Sequence, residues 1–162
     1  MSRDTALTEI EVVILEHLQR DARLSSADLA EQLHLSNTPV WRRIKKMQES
    51  GLIQGYHAHV DARRLGLGIE AFLTIGVHQH DDTNIREFTE AVATIDEIVA
   101  CDMVSGRGDF LLRVVAKDMD AYADFVNRVA AKLPGVREIQ SSFVLRTIKP
   151  YSGLPIRKAA LE

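Results

Sequence analysis

Leu35-Ser36-Asn37-Thr38-Pro39-Val40-Trp41-Arg42-Arg43-Ile44-Lys45-Lys46-Met47 places a helix start, an apolar stripe and four basic side chains in one short segment. Ser36 suits an N-cap, and Pro39 falls within the first turn, where a missing N–H costs little. Val40, Trp41, Ile44 and Met47 read as the inward side of the helix, which assigns Trp41 to the core. Gly51 ends the helix as a C′ residue. Arg42, Arg43, Lys45 and Lys46 thus crowd one helix of a chain whose net charge is −3. That concentration asks for an anionic partner.

Upstream, Thr8 with Glu11 three residues later reads as a capping box. Ile10, Val13, Ile14, His17 and Leu18 then mark one helical face. Ser25 with Asp28 starts a second helix in the same way, with Leu29, Ala30 and Leu33 as its apolar side. His34-Leu35 is the turn into the quoted segment. Helix, short turn and basic second helix make a helix-turn-helix. Residues 52–60 read as a short extended segment suited to a wing, so a winged helix-turn-helix domain is expected over residues 1–60. Residues 61–68, with Arg63-Arg64, Gly66 and Gly68, read as a hinge.

Downstream the rhythm changes. Residues 69–80 alternate, with Ile69, Ala71, Leu73, Ile75 and Val77 on one face of a strand. Ile85, Phe88, Val92 and Ile95 follow helical spacing. Two strands, 98–105 and 109–116, are joined by a tight turn at Gly106-Arg107-Gly108. Tyr122, Phe125, Val126, Val129 and Leu133 mark a second helix, ended by Pro134-Gly135. A last strand covers 136–148, with Ile139, Phe143 and Leu145 on one side. The order βαββαβ predicts an α+β chain whose domain over residues 69–162 is ferredoxin-like, with both helices on one sheet face. The other face is left open, which predicts a homodimer or higher homo-oligomer.

Residues 1–66 carry nine basic and nine acidic side chains, and residues 67–162 carry 11 and 14. A uniformly basic nucleic-acid binder is excluded, while a local basic patch on a neutral domain is not. No apolar run approaches the roughly 18 residues of a membrane span. Met1-Ser2-Arg3-Asp4 opens no signal-peptide core. Cys101 is the only cysteine; it is assigned to the core, and nothing requires an oxidising compartment. A cytoplasmic location without membrane contact is expected.

Double-stranded DNA is the anion that fits a helix-turn-helix. Residues near the N-terminus of its second helix meet base edges. Asn37 and Thr38 offer hydrogen bonds to bases, and Arg42 offers the bidentate contact to guanine. Arg43 is available on the same helix. Lys45 and Lys46 lie further along and suit phosphates, as do Ser36 with the first backbone N–H groups and, more weakly, Arg23 and Ser26. The competing reading of these charges is a solvated helix face.

Helix-turn-helix followed by βαββαβ resembles the leucine-responsive/asparagine regulator (Lrp/AsnC) family of transcription factors. The resemblance is carried by Leu24-Ser25, Leu29-Ala30, Leu35-Ser36, Thr38-Pro39, Arg42-Arg43, Ser50-Gly51-Leu52-Ile53, Gly55-Tyr56 and Leu65-Gly66-Leu67. It continues through Ser105-Gly106, Asp109–Val115, Leu133-Pro134-Gly135-Val136, Ser141-Ser142-Phe143-Val144 and Ile148-Lys149. It implies a DNA-binding transcriptional regulator modulated by a small effector, often an amino acid, held where subunits meet. By motif, Ser105, Gly106, Gly108 and Asp109 form one side of such a cleft. Met103 leads into it, and Ser141 and Ser142 approach from elsewhere. Turn N–H groups would hold a carboxylate, and Asp109 an ammonium. The competing reading is a turn whose glycines supply positive φ and whose Asp caps it. Many relatives carry Tyr where this chain has Phe110. Thr38-Pro39-Val40-Trp41 resembles a branch of which some members sense sulfur-containing amino acids, although Val40 replaces that branch's usual Cys.

His57/His59 and His78/His80 are each spaced to share a strand face, as metal ligands would. No Cys-His framework accompanies them, so solvated strand ends are the preferred reading, and no metal or cofactor is expected. No nucleophile–base pair or paired carboxylate stands out, so no enzyme is expected. Two alternatives stay open: a sirohaem-decarboxylase-like enzyme of the same two-domain plan, and a ligand-binding assembly module that does not bind DNA.

Overall fold

The computed structural model describes residues 7–78 and 82–156. The chain divides into two compact units, Met1–His59 with Lys149–Glu162, and Val60–Ile148.

The first unit is built on α1 (Glu9–Arg20), α2 (Ser26–Gln32) and α3 (Asn37–Glu49). Both expected capping boxes form. Thr8 Oγ1 accepts from the Glu11 N–H at 3.3 Å, and Glu11 Oε2 accepts from the Thr8 N–H at 2.9 Å. Ser25 Oγ and Asp28 Oδ2 repeat the exchange at 3.1 and 2.8 Å. Each box satisfies donors that a helix start leaves without partners. Ser36 stands at the N-cap of α3 but makes no capping hydrogen bond through its side chain. Gly51 adopts φ +76° just past α3, a conformation that favours glycine.

The core of this unit gathers Ile14, Leu15, Leu18, Leu29, Ala30, Val40 and Met47, with Ile10, Leu24, Leu33 and Ile44 packed against it. On α1 the buried positions are Val12, Ile14, Leu15 and Leu18, so the inward face is turned slightly from the expected Val13 and His17. Trp41 corrects the core assignment: it is 50% exposed. Val40, Ile44 and Met47 already fill the stripe at i, i+4 and i+7. Trp41 follows Val40 by one residue, about 100° further round the helix. Residues 52–60 form no strand: Leu52 and Ile53 lie in a bend and the rest has no regular structure. A wing strand needs a ladder partner for its N–H and C=O groups, and this segment pairs with none among the described residues.

The second domain is expected to run to residue 162, whereas the chain from Lys149 groups with the first unit. Gln19 holds it at both ends of its amide: Oε1 accepts from the Leu154 N–H at 2.6 Å, and Nε2 donates to the Leu154 carbonyl at 3.0 Å. Ile156 packs against the core of the three helices.

The second unit contains β1 (Ile69–Val77), α4 (Asp82–Val92), β2 (Ile98–Met103), β3 (Phe110–Ala116), α5 (Met119–Arg128) and β4 (Val136–Phe143). The sheet order is β2-β3-β1-β4, antiparallel throughout, with Leu73 opposite both Leu112 and Ser141. This is the expected ferredoxin-like arrangement. Ala71, Leu73, Ile75 and Val77 of β1 and Phe110, Leu112 and Val114 of β3 are buried against Phe88 and Val92 of α4 and Tyr122 and Phe125 of α5. Phe88 stacks on Phe110 with ring centroids 4.2 Å apart.

The last strand ends at Phe143 rather than reaching residue 148. One further ladder bond, from the Val144 N–H to the Glu70 carbonyl, closes it. Leu145 beyond it is 90% exposed, so its apolar character marks no strand interior. Cys101, expected in the core, is exposed on the edge strand β2. Phe72, Thr74, Leu111, Arg113 and Val115 share the sheet face away from the helices. Arg113 and Glu70 are joined across it at 2.6 Å. Among the described residues no helix is long and apolar enough to cross a membrane.

Candidate functional site

Two groups of residues carry chemistry, one in each unit. On α3 the core direction is set by Val40, Ile44 and Met47. Counting 100° per residue from there, Thr38, Arg42, Lys45 and Lys46 fall on the opposite arc, and all four are exposed. Asn37 and Trp41 stand at one flank of that arc. Arg43 stands at the other, half-buried, with Nη1 donating to the Pro39 carbonyl at 3.3 Å. The Lys45 ammonium lies 5.2 Å above the Trp41 ring and 3.7 Å from Glu49. The outward face is therefore cationic, and one apolar ring stands at its edge.

The acidic start of α1 is turned toward this helix. Glu11 has its carboxyl pKa lowered chiefly by the backbone hydrogen bond from Thr8, with further help from the charges of Lys46 and Arg43. Arg23 is already engaged: its guanidinium grips Asp21 at 2.9 and 2.7 Å. That pairing holds the Asp21 carboxyl down at about 2.

In the second unit, residues 104–109 connect β2 to β3. The Val104 N–H donates to the Asp109 carbonyl at 2.9 Å. Gly106 takes φ +131°. Asp109 is built into the sheet end: its N–H donates to the Ile75 carbonyl at 2.8 Å, and its Oδ2 accepts from the Val77 N–H at 2.8 Å. Gly108 has no room for a side chain, since a Cβ there would lie 2.3 Å from Thr74 Cγ2. Ser105 and Gly106 are exposed at the loop tip.

Met103 ends β2 with 63% of its surface exposed. It lines an apolar groove of about 430 Å³ with Val92, Ile98, Cys101 and Phe110. Partial burial and the neighbouring Asp102 push the Cys101 thiol pKa up. Ser141 and Ser142 are not brought to the loop within one chain. They pair with Leu73 and Phe72 of β1, well back from its end. Ser141 lies on the helix side, where its Oγ is 2.6 Å from the Tyr122 hydroxyl. Ser142 lies on the open face. Their adjacency already carried this signal, because neighbouring strand residues point to opposite faces.

Among the described residues no three His, Cys, Asp or Glu side chains gather as metal ligands. His80 of the second His-x-His pair lies outside the described residues.

Residues 7–54 match a winged helix-turn-helix DNA-binding model, and residues 70–154 match the Lrp/AsnC ligand binding domain. The chain belongs to the Lrp/AsnC family. It is 34% identical to the Bkd operon transcriptional regulator of Pseudomonas aeruginosa, over 93% of this chain and 98% of that one. It is also 34% identical to the DNA-binding transcriptional activator DecR of Escherichia coli, over 93% and 99%. A transcriptional regulator from Neisseria meningitidis, solved in complex with L-Met, superposes with a TM-score of 0.87 at 31% identity, covering 94% of this chain and 99% of that one. As a member of the Lrp/AsnC family this protein is a DNA-binding transcriptional regulator, and its second unit is the family's ligand-binding domain.

Proposed function

We propose that α3 reads operator DNA and that an amino acid bound beside the 104–109 loop sets how strongly it does so. The observation that carries the first half is the outward arc of α3. Thr38 and Arg42 stand where base edges are met, with Lys45 and Lys46 where phosphates run. Ser36 and Asn37 complete the contact surface at the helix start, and Arg43 supports it from the α1 side. An enzyme of the same two-domain plan has no need for such an exposed basic face, so the chain acts as a regulator rather than a catalyst, in the cytoplasm where its operator lies.

The effector half draws support from the L-Met complex of the Neisseria relative. The chemistry of the loop agrees with it. Ser105 and Gly106 present polar groups at an exposed tip, and Met103, Cys101 and Val92 offer an apolar groove next to it. Asp109 adds negative charge for an ammonium. Ser141 and Ser142 sit elsewhere on the sheet, so they join the loop only if a second copy supplies them. The effector site is therefore formed between copies, in a dimer or larger assembly.

Fluorescence anisotropy against the protein's own promoter, over a salt series, tests the first half. Arg42→Ala lowers discrimination between promoter and random DNA by the ~1–3 kcal/mol of a lost bidentate base contact. Lys46→Ala weakens both alike and lowers the salt slope by roughly one unit. Equal binding by both variants and the wild type overturns the assignment. A thermal-shift screen of amino acids, followed by anisotropy with each hit, tests the second half. Visible absorbance on mixing with a tetrapyrrole would mark the enzyme instead.

A further inference from the structure

The outward face of α3 carries one residue that its charges do not explain. Trp41 is 50% exposed although it follows the fully buried Val40. A single exposed apolar side chain needs no special account on most surfaces. This one has a particular setting. On the helix it lies one turn from Asn37 and three residues from Thr38, which are assigned to base edges, and one turn from Lys45, which is assigned to phosphates. The Lys45 ammonium sits 5.2 Å over its ring and covers one face of the indole, while half of the side chain's surface stays exposed. The ring stands at the rim of the surface assigned to the major groove.

Only one feature of that groove is apolar, the C5-methyl group of thymine. We propose that Trp41 is a base-reading residue that packs on a thymine methyl group and so sets part of the operator preference. This rests on the reading of α3 as the recognition helix, and it adds the one base contact that does not depend on hydrogen bonding. Lys45 then has two tasks: it covers one face of the indole and carries charge toward the adjacent phosphates.

Trp41 is the only tryptophan in the chain, so intrinsic fluorescence reports on it alone. The full-length protein is used to select fragments from a random DNA pool. Binding is measured by anisotropy for these fragments, for the same fragments with deoxyuridine replacing thymine, and for unselected DNA. Trp41 accessibility is followed by iodide quenching with and without DNA. The free protein should quench readily and be protected by selected fragments. Deoxyuridine should weaken wild-type binding several-fold while leaving Trp41→Ala unaffected. Trp41→Ala should lose affinity for selected fragments more than for unselected DNA, and Trp41→Phe should keep part of the preference. A circular-dichroism melt near that of wild type shows that the exposed site is changed without loss of fold.

The proposal is overturned if Trp41 is as accessible with DNA as without it. It is equally overturned if the indole is already protected in the free protein, which would place it in a contact between copies. An equal deoxyuridine penalty in wild type and Trp41→Ala overturns it too. Wild-type protein that selects no DNA fails the recognition-helix reading itself, whereas selected fragments indifferent to Trp41 fail only this inference.

Discussion

At Asp109 one side chain serves two readings that mutation can separate. Its Oδ2 accepts the Val77 N–H at 2.8 Å, which fastens the loop to the end of β1. In the proposed effector site the same charge faces the ammonium of the amino acid. Asp109→Ala removes both functions and strands a backbone donor, at a cost of about 1–3 kcal/mol, read as a shift in a urea midpoint. Asp109→Asn keeps an acceptor for Val77 but loses the charge. It should stay close to wild type in stability and lose the effector response in anisotropy; an unchanged response leaves Asp109 with the structural role alone. Gly108→Ala should cost about 1–3 kcal/mol by overpacking, because its Cβ would fall 2.3 Å from Thr74 Cγ2. Residue chemistry was easier to read from sequence than residue direction. The basic row of α3 was legible because charge and capping agree. Trp41 lies outside the core because helical angle, not apolar type, sets its direction, and Cys101 because composition does not reveal which strand is an edge.

The helix starts of the first unit are the elements most sensitive to acid. Glu11 and Asp28 each close a capping box, and their pKa values are lowered chiefly by the hydrogen bonds they accept from Thr8 and Ser25. Asp21, held by Arg23, titrates at about 2 instead of 3.8. A carboxyl whose folded pKa lies below its unfolded value adds stability above the unfolded pKa. That contribution fades as pH falls toward the folded pKa. The first unit should therefore lose stability between about pH 4 and pH 2. Thermal melts across that window should show it failing earlier in a Thr8→Ala variant, which also costs about 1 kcal/mol at neutral pH. A melt independent of pH in that range removes the role given to the caps. These starts were legible because S/T-x-x-D/E is a local rule. Element ends were less so. Residues 52–60 have a composition that suits a strand, but a ladder needs a neighbour. The apolar Leu145 and Ile148 suggest that the last strand continues, yet both side chains are exposed beyond its end.

At the scale of the molecule, the proposed assembly turns on the open face of the sheet. βαββαβ order made this face predictable, since two crossovers of one hand place both helices on the same side. Its occupant was not, because one chain does not contain its partner. Phe72, Leu111 and Val115 are half-buried there, flanked by the Arg113–Glu70 pair. A second copy of this chain on that face would bury the apolar centre and meet the charged rim. Leu111 lies opposite Thr74 and Asp102 on this face, away from the helix-side core. Leu111→Arg should thus leave the melting temperature of an isolated subunit nearly unchanged while setting two like charges against each other in a dimer. Analytical ultracentrifugation should find a smaller species than wild type. Operator affinity should fall roughly a hundredfold, the low end of what joining two half-site contacts gains. Lys46→Ala, by contrast, should weaken DNA binding with assembly intact. If Leu111→Arg sediments as wild type does, the open face is not where copies meet. If it dissociates yet binds operator unchanged, one copy of α3 is enough for recognition.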